Sequence, residues 1–373
     1  MLTLLILSNN NDIFMSSLSL NKPLDMVRMQ MKKLYGKGPL SQIGPLKHNK
    51  STSEASSASK HHNIMLLGAA GFIGTNLTFA LAADKSNRIT VVSTDLSHCR
   101  FIEDKGLENV KCIESPLSSE TSFAELTADQ DAVYHLISTN VPTTSNQHIS
   151  QELMSNVLLS SNLFDACAKN GVKKVVFFSS GGAVYGKESK CPLNENTPTN
   201  PITSYGIQKI TIEKLLYLYN YLYGLDYRII RLSNPYGPYQ RPNGVLGAVT
   251  TFTYKALKHE PIEVYGDGSV VRDFIYIDDA IRGISNIVNG EEKHKTYNLG
   301  SGKGTSITEI LTTISSSLSV KIDVRYTPRR RVDIPINYLD ISRYESSYGN
   351  LNPINLEEGI KKTAEFMVKQ KMV

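Results

Sequence analysis

Asn63–Gly74 reads NIMLLGAAGFIG, an apolar run of strand length followed by glycines at 68, 71 and 74 where a strand would turn into a helix. In such a unit the first glycine lets the chain turn tightly. The second lets backbone approach a pyrophosphate, and the third lets helix and strand pack closely. A glycine triplet alone arises by chance in tight turns; between a strand and a helix it points to dinucleotide binding. Asp95 ends the next apolar run, twenty-one residues past Gly74, near the spacing of a carboxylate that accepts from ribose hydroxyls. That placement favours NAD, because a 2′-phosphate would be repelled; Arg100 keeps NADP open, and a plain turn aspartate is the other reading.

Working outward, the alternation continues. Phe72 to about Ala83 has helical spacing, RITVVS is β-branched, and DAVYHLIS and KKVVFFSS are two more strand-length runs. Between them QELMSNVLLSSNLFDACAKNG reads as a helix closed by Gly171. SYGIQKITIEKLLYLYNYLYG reads as another closed by Gly224, and LDYRIIRLS as the following strand. Continuous apolar strands alternating with helices predict an α/β fold with a doubly wound parallel sheet, of the Rossmann kind, covered on both faces. After Asn234 the texture changes to NPYGPYQRPNG. A smaller C-terminal portion is expected there, closing a cleft at the carboxyl ends of the strands. The expected division is an extension over 1–62, a dinucleotide-binding domain over 63–233 that continues in part to about 300, and a substrate-binding portion over 234–373. Tyr217, Tyr219, Tyr221 and Tyr223, every second residue on a helix, spread around it and suit packing or a subunit contact.

The 373 residues are 40 % hydrophobic and 20 % charged, ordinary for a soluble protein with a sizeable core. Cys99, Cys112, Cys167 and Cys191 are widely spaced, so neither a disulfide framework nor a metal site is expected, and a reducing, cytoplasmic setting is. The first 62 residues carry eight Lys/Arg and three Asp/Glu, which accounts for the whole net charge of +5. The remainder is balanced, which argues against nucleic acid as a partner. That first segment opens on MLTLLIL, too short to span a bilayer, and includes the Ser-rich KSTSEASSASKHH. A disordered tail is expected and no membrane insertion; a targeting peptide, or a start at Met15, Met26 or Met29, stays open.

FFSSGGAVYG (Phe177–Gly186) precedes Tyr205 and Lys209 in SYGIQK, four residues apart and so one turn apart on a helix face. A tyrosine working as a base near neutrality needs its pKa lowered by roughly three units, about 4 kcal/mol. A nearby ammonium and a positive nicotinamide ring would supply that. Such a Tyr-x-x-x-Lys pair is common on surface helices; downstream of a glycine-triplet unit it becomes the strongest signal in the chain.

GAAGFIG, DAVYHLIS, SSGGAVYG, SYGIQK, RLSNPYGPYQ, YGDGSVVRDFIYIDDA and YNLGSGKGTSITE together resemble the nucleotide-sugar epimerase/dehydratase branch of the extended short-chain dehydrogenases/reductases, in particular enzymes like UDP-glucose 4-epimerase. The resemblance runs from Asn63 to about Phe366. It implies NAD as cofactor, a UDP-sugar as substrate and C4 epimerisation through a transient 4-keto sugar. Tyr205 would be the catalytic base, Lys209 would hold the ribose and lower the tyrosine pKa, and Gly68, Gly71, Phe72, Ile73, Gly74, Asp95, Leu136 and Ser138 would complete the cofactor site. Asn234, Arg272, Arg330 and Asp333 would grip the diphosphate and uridine ribose, where a planar guanidinium suits phosphate; for the RRR run a solvated charge cluster is the other reading. The resemblance also implies a homodimer built from helices near 151–169 and 204–223.

Three departures stand out. Relatives carry Ser or Thr at the place of Gly181, beside the reacting hydroxyl; here Ser180, with Ser179 at the substrate too, is expected to supply it, or Tyr205 acts alone. Gly182 and Ala183 replace the Asp-Glu pair of dehydratases, which removes the groups for water elimination. Ser115 stands where relatives place an aspartate near adenine. In addition, Asn337 stands where glucose-restricted epimerases have a bulky tyrosine, which would leave room for UDP-GlcNAc and UDP-GalNAc. A reductase or decarboxylase on the same scaffold, and a non-catalytic NAD-binding regulatory protein, are the rival readings.

Overall fold

The computed structural model describes residues 62–118, 120–140, 144–187, 189–242, 246–291, 293–329 and 334–373, with the pairs Ile6–Leu7 and Ile13–Phe14. The chain divides into two units, Met1–Ala58 and Ser59–Val373. In the first, the two short pairs run antiparallel; the disorder expected of the first sixty-two residues otherwise falls outside the described residues.

In the second unit, β1 (His62–Leu67), β2 (Asn87–Ser93), β3 (Val110–Glu114), β4 (Ala132–His135), β5 (Lys174–Ser180) and β6 (Asp226–Leu232) join a later strand, Thr296–Leu299, in one seven-stranded sheet. Every neighbouring pair is parallel, and the order is Thr296–Leu299, β6, β5, β4, β1, β2, β3. This is the doubly wound α/β sheet that the alternation predicts. Successive side chains point to opposite faces. Leu66, Val91, Val176 and Ile230 therefore meet helices Phe72–Ala82 and Ile277–Asn289 on one side, while Leu67, Val92, Phe177 and Ile229 meet Leu163, Phe164, Ile212 and Leu216 on the other. Two apolar faces explain why these strands read as unbroken runs.

The strand order reverses between β1 and β4, and a crevice opens outside the carboxyl ends of strands at such a point. The chain leaves β1 through Gly68, whose φ of +78° suits glycine and where an added Cβ would stand 3.1 Å from Ile137 N, in the backbone leaving β4.

The helix expected before Gly171 is present, with one difference: its turn at Met154–Leu158 widens to π geometry between Ile149–Leu153 and Leu159–Lys169. Helix Ser204–Tyr223 is capped by the Thr203 hydroxyl and ends on Gly224 at φ 71°.

Beyond Asn234 the chain does not form a separate body. Helix Ile277–Asn289 covers the main sheet and Thr296–Leu299 completes it. A smaller sheet joins Val271–Tyr276 to Asn234–Tyr236, Gly304–Ser306 and Ile336–Asn337. At its centre the buried Asp273 carboxylate accepts from Ser301 N and Oγ at 2.7 and 2.8 Å and from Gly302 N and Leu339 N at 3.3 Å. One side chain thus ties three segments together, and this accounts for the VVRDF and NLGSG motifs. No helix of the described residues is long and apolar enough to cross a membrane.

Candidate active site

A cavity of about 1010 Å³ runs across the carboxyl ends of β1, β4, β5 and β6, and is large even for a ligand site. Gly68, Gly71, Phe72, Ile73, Gly74, Leu136 and Ser138 line one part. Helix Phe72–Ala82 begins there with Gly71 and no side-chain cap, so its first backbone N–H groups face the cavity. Gly74 has no alternative: a Cβ there would stand 2.3 Å from Ala69 Cα. A Cβ on Gly71 would meet only Gly68 O within 4 Å and would project into the space above the helix end. Ser233 also lines the cavity, and its buried hydroxyl has no partner among the described residues. These features fit a dinucleotide pyrophosphate.

Asp95 has a local role. It caps the short turn Leu96–Cys99 through Ser97 N at 2.8 Å, and the Ser97 side chain, followed by that backbone bond, holds its pKa below the usual range. It stands outside the cavity lining, between Thr94 and His98, which are lined up along it.

Tyr205, Lys209 and Ser180 converge. Burial pushes the Tyr205 pKa up to about 12, and the neighbouring Ser180 side chain opposes that rise. Lys209 is 5 % exposed; its ammonium donates to Phe178 O at 2.8 Å and stands 5.5 Å from the Tyr205 ring centroid and 4.9 Å from that of Phe177. Burial brings its pKa down to about 8, against the opposing pull of Glu213. The protein's own groups leave Tyr205 protonated near neutrality; the lowering that the sequence pattern predicts counts on the positive nicotinamide ring as well as the ammonium. For the chain alone, desolvation dominates and Lys209 is turned toward a carbonyl.

The two serines divide. Ser180 faces Tyr205, whereas Ser179, expected at the substrate, lines the cavity floor with its hydroxyl turned away to donate to Glu213 at 2.5 Å. Gly181 is filled from behind: a Cβ there would stand 2.6 Å from Leu339 Cδ1 and 3.2 Å from Arg231 O.

On the far side, Asn234 and Arg272 line the cavity. Asn234 donates to Asp273 O at 2.8 Å, and Arg272 Nη1 to Val271 O and Ile334 O at 2.8 and 2.6 Å. Asn337 is 2 % exposed and does not line the cavity; its amide reaches Gly182 O at 3.5 Å, behind the wall. Its size therefore does not directly set the room at a ligand. Arg330 and Asp333 lie outside the described residues. Sequence reasoning missed Asn140, Gln240, Arg241 and Glu263, all lining the cavity, and the buried Glu213. Only Glu213, four residues past Lys209, was marked by a spacing. Among the described residues no cluster of His, Cys, Asp and Glu is placed to hold a metal ion.

A model of the NAD dependent epimerase/dehydratase family matches residues 64–300. A Methanocaldococcus jannaschii protein described as a putative UDP-glucose 4-epimerase is 32 % identical over 305 residues, covering 82 % of this chain and 98 % of its own. The structure of UDP-glucose 4-epimerase from Thermotoga maritima with UDP-glucose matches with a TM-score of 0.75 at 29 % identity, over 83 % of this chain and 99 % of that one. UDP-N-acetylglucosamine 4-epimerase from Methanobrevibacter ruminantium M1, in complex with UDP-N-acetylmuramic acid, matches with a TM-score of 0.76 at 31 % identity over the same shares.

Proposed function

The chain belongs to the NAD dependent epimerase/dehydratase family, and from that premise we propose that it is an NAD-dependent 4-epimerase of a UDP-sugar. The observation that carries the reading is the convergence of Ser180, Tyr205 and Lys209 in the wall of a cavity whose other end is the uncapped helix at Gly71, with the Lys209 ammonium 5.5 Å from the Tyr205 ring centroid.

When bound, NAD would supply the acceptor for the C4 hydrogen and a positive charge that favours ionised Tyr205. The residues of the chain do the rest. Tyr205 takes the proton of the C4 hydroxyl and later returns it, and Ser180 hydrogen-bonds to the same centre. Lys209 keeps an ammonium in a buried place beside the tyrosine, and the helix end at Gly71 holds pyrophosphate. Asp95, two residues past β2, is assigned to the adenosine ribose through Oδ2, the carboxylate oxygen that does not cap Ser97 N. Asn234 and Arg272, with Arg330 and Asp333, hold the substrate diphosphate while the sugar turns. Gly182 and Ala183 provide neither acid nor base for elimination, so the reaction stays an epimerisation.

The substrates we propose are UDP-Glc/UDP-Gal and UDP-GlcNAc/UDP-GalNAc. The small Gly182 and Ala183 in the cavity wall support the acetylated pair. Proton NMR of the purified protein with each sugar nucleotide, with no cofactor added, tests both points. The anomeric signal of the 4-epimer is expected; its absence with all four sugars, even after NAD is supplied, overturns the function.

A homodimer is part of the same proposal. Met154 and Leu158 on one helix, and Tyr217, Leu218, Tyr221 and Leu222 on the other, expose an apolar surface, with Tyr221 77 % exposed. Sedimentation should give twice the chain mass, and Tyr221→Glu should shift it toward the monomer; a monomeric wild-type protein contradicts this. The reducing setting expected from four unpaired cysteines supports a cytoplasmic location.

A further inference from the structure

Tyr205, Lys209 and Glu213 follow at four-residue intervals and form one stripe along helix Ser204–Tyr223. The stripe faces the last three residues of β5. Tyr205 neighbours Ser180 in the cavity wall, Lys209 donates to the Phe178 carbonyl at 2.8 Å, and Glu213 accepts from Ser179 Oγ at 2.5 Å. The reaction uses Tyr205 and Lys209. Glu213 touches no reacting atom, yet it is a carboxylate only 5 % exposed. Arg231 from β6 reaches its two oxygens through Nε and Nη2 at 3.1 and 2.7 Å, and the same guanidinium donates to Tyr185 OH at 3.1 Å.

We propose that Glu213 is a positioning residue for the epimerase reaction: through Ser179 it pins the strand end that carries Ser180 beside Tyr205, and it sets a buried carboxylate one helical turn from Lys209. The proposal rests on the functional reading above. A buried ion pair is an expensive way to join a helix to a strand, since an apolar pair of similar volume does so as well or better. A charged pair here therefore requires a reason, and its site one turn from Lys209 supplies one. The charged and titratable groups that face Lys209 are Tyr205 and Glu213 on its own helix, His135 from β4, and Arg231 of β6 beyond Glu213. β5 presents only the Phe178 carbonyl and the Phe177 ring. Among the described residues, Glu213 is the carboxylate that acts on Lys209, and it opposes the burial that favours the neutral amine. Its second contact is mechanical. Ser179 immediately precedes Ser180, so a bond that fixes the Ser179 side chain limits how far the Ser180 hydroxyl can drift from Tyr205.

The test is a titration of the holoenzyme labelled with 13Cε-lysine, with the Lys209 signal assigned by its loss in Lys209→Arg. It should titrate near pH 8 in the wild type and about one pH unit or more lower in Glu213→Gln. The alkaline limb of the kcat profile should move down with it, at unchanged KM for the UDP-sugar. Should Glu213→Gln fail to fold, the double variant Glu213→Leu with Arg231→Met, which removes both charges together, should show a smaller downward move, because the Arg231 charge that opposes Glu213 goes with it. Ser179→Ala keeps both charges; it should leave the lysine titration in place and lower kcat roughly tenfold at unchanged KM. An unmoved Lys209 titration in either folded charge variant, or wild-type kcat in Ser179→Ala, overturns the proposal. A wild-type protein that epimerises nothing overturns the functional reading instead and leaves the lysine titration readable.

Discussion

Leu339 occupies the space that a side chain at position 181 would need, its Cδ1 lying 2.6 Å from where a Cβ would stand. The glycine in SSGGAVYG is thus closely packed against Leu339, and the hydroxyl we propose beside Tyr205 is that of Ser180. Gly181→Ser should therefore destabilise the protein by about 1–3 kcal/mol without raising kcat. Gly181→Ser with Leu339→Ala should regain part of that loss in thermal unfolding; a Gly181→Ser protein as stable as the wild type would show that Leu339 yields freely.

Ser180→Ala should lower kcat by roughly a hundredfold, and Tyr205→Phe should lower it further. Both should retain bound NAD, because neither touches the helix end at Gly71. Single-turnover epimerisation, with cofactor content read from absorbance, checks the pair. Equal activity of Ser180→Ala and wild type would remove the serine from the mechanism.

At the other end of the cavity, Gly74→Ala places a methyl 2.3 Å from Ala69 Cα and forces helix Phe72–Ala82 away from β1. Purified Gly74→Ala should carry little or no NAD and unfold at a lower temperature. A variant with full cofactor content would show that the helix can shift without losing its grip on pyrophosphate.

His135 governs the acid side. It is 1 % exposed, its Nε2 is 2.7 Å from Ser160 Oγ, and burial, with Lys209 adding to it, lowers its pKa to about 3. The unfolded chain binds this proton near pH 6.5 and the folded one only near 3. Stability is therefore whole above 6.5 and is lost as pH falls between those values, by at most about 1.4 kcal/mol per pH unit for one proton. His135→Gln should flatten that slope in denaturant unfolding measured from about pH 4 to about pH 6. An unchanged slope would mean that other groups control acid unfolding.

What could be read from the chain was local. NIMLLGAAGFIG carries its strand, its turn and its helix start within twelve residues, and SYGIQK sets two side chains one turn apart whatever surrounds them. The contacts that escaped reading join distant positions: Ser179 to Glu213, Gly181 to Leu339, Asn337 to Gly182. No periodicity announces which way a serine at a strand end will turn. That choice was made by a buried carboxylate on the next helix, and the pKa of Tyr205 by the depth of its burial. Asp95 shows the same limit in reverse, since a place at the end of β2 suits a ribose and a capped turn equally.

The Asp273 carboxylate, gathering Ser301, Gly302 and Leu339, bears on how such a protein can diverge. Those segments are anchored to one buried group, so they are poor places for insertion or deletion over evolutionary time. Cavity residues such as Gln240, Arg241 and Ile202 donate nothing to that anchor. Sequence drift can collect there, and a change of preferred sugar needs no change in the frame that holds it.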